Sequence, residues 1–153
     1  MRTIPRFFSL LMLGMIPLLY SGCKKDDPVK PITDQQIEKL NGSWKATEVK
    51  ADDILQDEYD DFVLTFSGDA GNKFLEYTPE GRPFVSPWPE SGTLLFDDAD
   101  PQRVLHRDDD VVITYEVTNT TLTISFDFSE EGYINNGRTS GITGEWEFKF
   151  SKQ

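Results

Sequence analysis

Apolar and polar residues alternate along much of the chain. Phe62, Leu64 and Phe66 alternate with Val63, Thr65 and Ser67. Val111, Ile113, Tyr115 and Val117 alternate with Val112, Thr114, Glu116 and Thr118. Leu122, Ile124, Phe126 and Phe128 alternate with Thr123, Ser125, Asp127 and Ser129, and Trp146, Phe148 and Phe150 with Glu145, Glu147 and Lys149. A period of two marks antiparallel strands with one dry and one wet face. Less regular strands are expected at Ser43–Lys50, Lys73–Thr78, Gly92–Phe96 and Arg103–Arg107. Turn-forming residues fall at 68–72, 118–121 and 135–137. Ahead of the strands lies one helix signal. Thr33 and Gln36 fit a capping box, Ile32 and Ile37 a hydrophobic staple, and Asn41-Gly42 a stop, so a helix of at most about two turns is expected over Asp34–Leu40.

This pattern fixes a packing problem. About eight strands each carry an apolar face, and the one helix is too short to cover a sheet. The sheet must cover itself, as a barrel or a sandwich. Mostly consecutive hairpins favour the barrel. The expected fold class is all-β, an antiparallel up-and-down β-barrel of about eight strands with one short N-terminal helix.

The start of the chain follows a different logic. Arg2 and Arg6 precede an apolar run, Phe7 to Tyr20, of about 14 residues. That is the length of a signal-peptide core and short of the roughly 20 residues of a membrane span. Ser21, Gly22 and Cys23 follow. Cys23 is the only cysteine, so no disulfide within the chain is possible. Leu19-Tyr20-Ser21-Gly22-Cys23 resembles a lipobox, in which small residues let a signal peptidase cut before a diacylated cysteine. The resemblance implies a signal peptide at 1–22, a lipidated Cys23 with a linker at 23–32, and a folded domain at 33–153. Two or three acyl chains hold a protein firmly to a membrane, at about 0.8 kcal/mol per buried CH₂. Lys24-Lys25-Asp26-Asp27 is similar to the signal that places Bacteroidota lipoproteins on the outer membrane, facing out. A lipid-anchored outer-membrane location at the cell surface is therefore expected.

Charge narrows the partners. Losing Arg2 and Arg6 with the leader takes the formal net charge from −12 to −14. Such a domain repels nucleic acid and anionic lipid headgroups, which argues against nucleic-acid binding and suits a solvated module on a tether.

Leu40-Asn41-Gly42-Ser43-Trp44-Lys45 places Gly-x-Trp at the start of the first strand, just after the helix. Residues 110–128 and 138–150 look like closing strands, the latter with a second Gly-x-Trp at Gly144-Glu145-Trp146. Together they resemble the lipocalin-like domains of Bacteroidota lipoproteins over about Ile37 to Ser151. The resemblance implies a barrel-end role for Gly42, Trp44, Arg138 and Trp146. Trp44 would plug the closed end, Gly42 would let the helix pass close, and the Arg138 cation would stack on the Trp44 ring. It also implies a small apolar or amphipathic ligand.

The chemistry of catalysis is thin. His106 is the only histidine and falls on a strand as an outward or edge residue, Cys23 is taken by lipid, and no zinc motif, phosphate loop or nucleophile elbow occurs. No enzyme activity and no cofactor are expected. Asp97-Asp98-Ala99-Asp100 and Asp108-Asp109-Asp110 could bind Ca²⁺, although solvated turns are the commoner use of such residues. Glu80 to Ser91 carries three prolines and two aromatics, Phe84 and Trp88. The prolines stiffen it and keep it out of a central strand. Trp88 either folds inward to seal the core or stands at the barrel mouth. Phe84, Trp88 and Tyr115 are the candidate ligand contacts.

Two functions stay open. One is a small-ligand carrier. The other is a non-catalytic protein- or glycan-interaction module of an outer-membrane assembly. An open apolar cavity above about 300 Å³ would favour the carrier. A filled barrel with an exposed aromatic patch would favour the interaction module.

Overall fold

A computed structural model describes residues 29–129 and 142–153 in full and the backbone of 134–135 and 138–139. Its elements are α1 (Ile32–Leu40), β1 (Gly42–Ala51), β2 (Ile54–Leu55), a single 3-10 turn at Asp57–Tyr59, β3 (Val63–Ser67), β4 (Phe74–Glu80), β5 (Gly92–Phe96), β6 (Val104–Arg107), β7 (Val112–Val117), β8 (Thr121–Ser129), β9 (Ile134–Asn135), β10 (Arg138–Thr139) and β11 (Thr143–Lys152). Eight of them, β1, β3 to β8 and β11, pair antiparallel in chain order, and β11 returns to pair with β1. The sheet is thereby a closed up-and-down barrel, as the alternation requires. β2 is a short extra strand on β1, and β9 and β10 pair with each other.

The alternating residues set the inside. Leu64 and Phe66 of β3, Leu75 and Tyr77 of β4, Leu94 and Phe96 of β5, Ile113 and Tyr115 of β7, Leu122, Ile124 and Phe126 of β8, and Trp146, Phe148 and Phe150 of β11 are all buried. β1 breaks the rhythm. Its register with β11 slips between Ala46 and Glu48, so Trp44 and Ala46 face inward before the slip and Val49 after it. The slip is a β-bulge, which adds a residue to one strand and lets a small barrel turn a corner. Among the described residues the barrel closes, and its buried core lies, within residues 32–152.

The helix starts earlier than its sequence suggests. It begins at Ile32 with Pro31 in the N-cap position and no side-chain cap, so the expected capping box at Thr33 and Gln36 does not form. The first turn is tied down in other ways. Gln35 Nε2 donates to Lys30 O at 2.8 Å, and Asp34 Oδ1 accepts from Gly71 N at 2.8 Å. A carboxylate near a helix start is favoured by the helix dipole; here it is used to bind the β3–β4 turn rather than to cap. Ile37 and Leu40 are buried, whereas Ile32 is partly exposed, so the expected Ile32–Ile37 staple is absent.

Candidate functional site

The barrel has two unlike ends. At one lie α1, the turns 68–73, 97–103 and 118–120, and the last residues of β11. Asn41 ends the helix and clamps the β3–β4 turn, its side chain donating to Gly68 O and accepting from Gly68 N, both at 2.8 Å. Trp44 is fully buried beneath the helix and donates from Nε1 to Leu40 O at 2.7 Å. The cation on its ring is Lys152, with Nζ 5.0 Å from the ring centre and donating to Lys39 O at 2.7 Å. The expected partner, Arg138, has its side chain outside the described residues. Lys152 is level with the ring because Trp44 pairs with it across β1 and β11. Gly42 has φ +113° and would bring a Cβ to 3.4 Å from Lys152 Cε, so its glycine serves a left-handed backbone beside that lysine. A surface groove of about 470 Å³ beside α1 is lined by Gln35, Glu38, Lys39, Asn119 and Lys152. All five of these side chains end in polar or charged groups.

At the other end lie the connections 52–62, 81–91 and 108–111. This mouth is stopped. The proline-rich segment 81–91 turns Trp88 into the barrel, where it is fully buried. Its ring meets Tyr77 at 5.4 Å, Phe126 at 5.5 Å and Phe148 at 5.9 Å between centroids, all nearly edge to face. Tyr59, from the 3-10 turn, fills the space beside it, edge-on to Phe62, Trp146 and Phe148. Trp146 belongs to this end, because it pairs with Ala51, the last residue of β1. The two Gly-x-Trp motifs therefore serve opposite ends.

The candidate ligand residues part company. Trp88 is core, and Phe84, four residues earlier on the same loop, is 99% exposed with Val85 half-exposed beside it. Tyr115 is buried and donates to Pro101 O at 2.6 Å, which ties it to a turn at the helix end. The three do not line one pocket. Among the described residues the interior is filled by aromatic rings, and burial pushes the Tyr59 phenol up to about 12 and those of Tyr77 and Tyr115 higher still.

One buried group was missed by the sequence reading. Arg107 points inward on β6, with its side chain wholly buried. Alternation carries the signal, since Leu105 inside places Arg107 inside as well. Its guanidinium lies 5.3 Å from the Trp88 and Phe126 ring centres and 5.5 Å from that of Phe128. Nε and Nη2 donate to Asp109 Oδ1 and Oδ2 at 2.7 and 2.8 Å. Burial alone would raise the Asp109 carboxyl; the bonds and charge of Arg107 outweigh that and hold it below its ordinary value. Arg107 Nη1, the Tyr77 hydroxyl and Trp88 Nε1 are buried and have no hydrogen-bond partner among the described residues. Each such group costs about 1–3 kcal/mol.

The aspartate clusters are occupied by local bonds. Asp97 Oδ1 accepts from Ala99 N and Asp100 N at 2.8 Å, and Asp97 Oδ2 lies 2.9 Å from His106 Nε2. The bond to His106, followed by these backbone bonds, lowers the Asp97 pKa. Asp108 Oδ2 accepts from Thr93 N at 3.0 Å. Among the described residues no group of three or more His, Cys, Asp or Glu side chains is placed to hold a metal ion. His106 is part-exposed on the outer wall, in one register row with Phe74, Leu95 and Val112.

Charge is distributed unevenly between the ends. The mouth segments 52–62, 80–91 and 108–110 hold eleven carboxylates and one arginine, Arg82. At the helix end, 29–41, 68–73, 97–103 and 151–153 hold six carboxylates and five basic residues. The acidity of the domain is thus concentrated at the mouth. Comparison with known proteins brings no match: no family model, curated sequence or solved structure is significantly similar to the chain.

Proposed function

We propose that the chain is a lipid-anchored outer-membrane lipoprotein whose barrel is a non-catalytic interaction module, presenting its mouth to a protein partner with a basic surface. The observation that carries this reading is Phe84, wholly exposed on a proline-stiffened loop whose neighbour Trp88 is locked in the core. A rigid aromatic loses little entropy on binding and is a common anchor of interfaces. The acidic rim around it favours a basic partner and speeds its approach. Orientation agrees. The linker from Cys23 joins the domain at α1, and the six steps from Cys23 to Val29 reach at most about 22 Å, so the helix end stays near the membrane and the mouth faces away. The resemblance to lipocalin-like lipoproteins fits an anchored barrel without requiring a catalytic site.

The test has two parts. Cys23→Ser is expected to move the protein from the membrane fraction to the soluble fraction. A photo-crosslinking side chain at position 84, in the native host, is expected to give a discrete adduct that fades at high salt, while the same probe at position 120, at the helix end, gives none. Absence of an adduct from position 84 would remove the docking role.

The small-ligand reading expects an open apolar interior. The described interior is filled, so a ligand must displace something already there.

A further inference from the structure

Strand β2 takes no part in closing the barrel. It pairs with β1 alone, at Lys50↔Leu55 and Ala51↔Ile54, and among the described residues no strand lies on its other side. Ile54 is 67% exposed and Leu55 57%. Neighbours on a strand point to opposite faces, so both faces of β2 are bare. The ladder also fixes which backbone groups are free. Gln56 N donates to Val49 O at 2.9 Å, so Gln56 turns its backbone groups toward β1 and Leu55 turns its N–H and C=O away. An edge with an open donor and acceptor is a template for a further strand.

This edge is firmly held. Asp52 and Asp53, the two residues of the β1–β2 turn, have φ +48° and +63°, as a type I′ hairpin requires, and aspartate is among the few side chains that tolerate that region. Asp52 ties the turn to β11. Its N–H donates to Glu145 O at 2.8 Å, and its Oδ1 accepts from Glu145 N at 2.9 Å. Gly144 leaves room for that carboxylate, since a Cβ there would lie 2.6 Å from Asp52 Oδ2. An edge fixed in this way loses little entropy when a partner adds to it.

Charge narrows the partner. Segment 52–62 carries Asp52, Asp53, Asp57, Glu58, Asp60 and Asp61, all exposed, and no basic residue. Among the described residues they share one ion pair, Lys45 with Asp61 at 4.0 Å. An added strand therefore gains by bringing cations to these carboxylates and apolar side chains to Ile54 and Leu55. The edge also adjoins the loop of Phe84. The Tyr59 hydroxyl, four residues past Leu55, donates to Ser86 Oγ at 3.2 Å, beside the exposed Val85 and Phe84.

We propose that the free edge of β2 takes up an extended segment of the partner as an added strand, one in which lysine or arginine alternates with apolar residues. The inference rests on the reading of the mouth as a docking surface and supplies its mode of recognition.

The test uses the protein as its host makes it, nitrogen-15 labelled and held in a neutral detergent. The probes are three capped eight-residue peptides: alternating lysine and valine, the same peptide with every backbone nitrogen methylated, and alternating glutamate and valine. Saturable binding of the lysine–valine peptide is expected, about tenfold or more tighter than either of the others, with the Leu55 N–H signal shifted and its hydrogen exchange slowed. Leu55→Pro removes the outward N–H and no bond to β1, so the barrel should form while affinity falls about tenfold. Leu55→Ala keeps the N–H and should lose less. If Leu55→Pro does not fold, the methylated peptide decides. Three results overturn the proposal: no saturable binding of the lysine–valine peptide, equal affinity for its methylated form, or a Leu55 N–H already protected from exchange before any peptide is added. Equal binding of the glutamate–valine peptide removes the charge argument and the proposal with it. The two readings fail separately. An adduct from position 84 without peptide binding removes the added strand and keeps the docking role, whereas peptide binding without that adduct removes Phe84 as an anchor and keeps the strand.

Discussion

Trp88 and Phe84 stand four residues apart on one loop, and the structure assigns them opposite roles. Trp88→Ala removes a fully buried ring from contact with Tyr77, Phe126, Phe148 and Arg107. Truncating a buried tryptophan costs about 3–5 kcal/mol through lost transfer energy and the cavity left behind. The edge-to-face pairs, worth about 0.5–1.5 kcal/mol each, and the desolvated cation–π contact place the change toward the upper half of that range. Release of an unpartnered indole N–H offsets part of it, by about 1 kcal/mol. A net loss of about 3–4 kcal/mol follows. A domain of this size is stable by about 6–17 kcal/mol, so the variant should still fold. Phe84→Ser touches nothing in the core and should change stability by less than about 0.5 kcal/mol. Urea denaturation followed by far-ultraviolet circular dichroism measures both, with the slope checked for constancy. A loss below about 1 kcal/mol for Trp88→Ala, or similar losses for the two variants, would show that segment 81–91 does not stop the barrel.

Three further outcomes test other contacts. Lys152→Ala should cost about 1–2 kcal/mol, since it removes both the cation over Trp44 and the bond to Lys39 O; thermal unfolding checks it, and Arg138→Ala supplies the comparison. Gly81→Ala places a Cβ 2.2 Å from Asp61 O at φ +66°, so the loop must shift; a loss above about 1–3 kcal/mol is expected in denaturant titration, and a neutral result would contradict the described backbone. The Asp109 carboxyl is held below its ordinary value in the folded protein. Its contribution is therefore complete above the unfolded pKa, near pH 4, and is lost as pH falls through the lower folded value. Acid unfolding of Asp109→Asn should accordingly be less steep below about pH 4 than that of the parent, and identical acid limbs would remove Asp109 from the account.

Sequence determined the barrel, because alternation is a local property. The side chains of Leu122, Ile124 and Phe126 lie on one face of a strand wherever that strand goes, and a chain of such strands with no large helix must wrap on itself. Even the buried Arg107 follows from that parity once Leu105 is placed inside. Other features depend on which residues meet across space. Trp88 and Phe84 carry the same local signal, aromatic among prolines, and only the path of segment 81–91 over the mouth sends one ring in and leaves the other out. The cation on Trp44 is Lys152 because strand register, with its slip between Ala46 and Glu48, brings those two residues level. The concentration of acid at one end is likewise invisible in the linear order. Alternate connections of an up-and-down barrel lie at the same end, and in this chain those at the mouth hold eleven carboxylates against one arginine, whereas the segments at the helix end are nearly balanced.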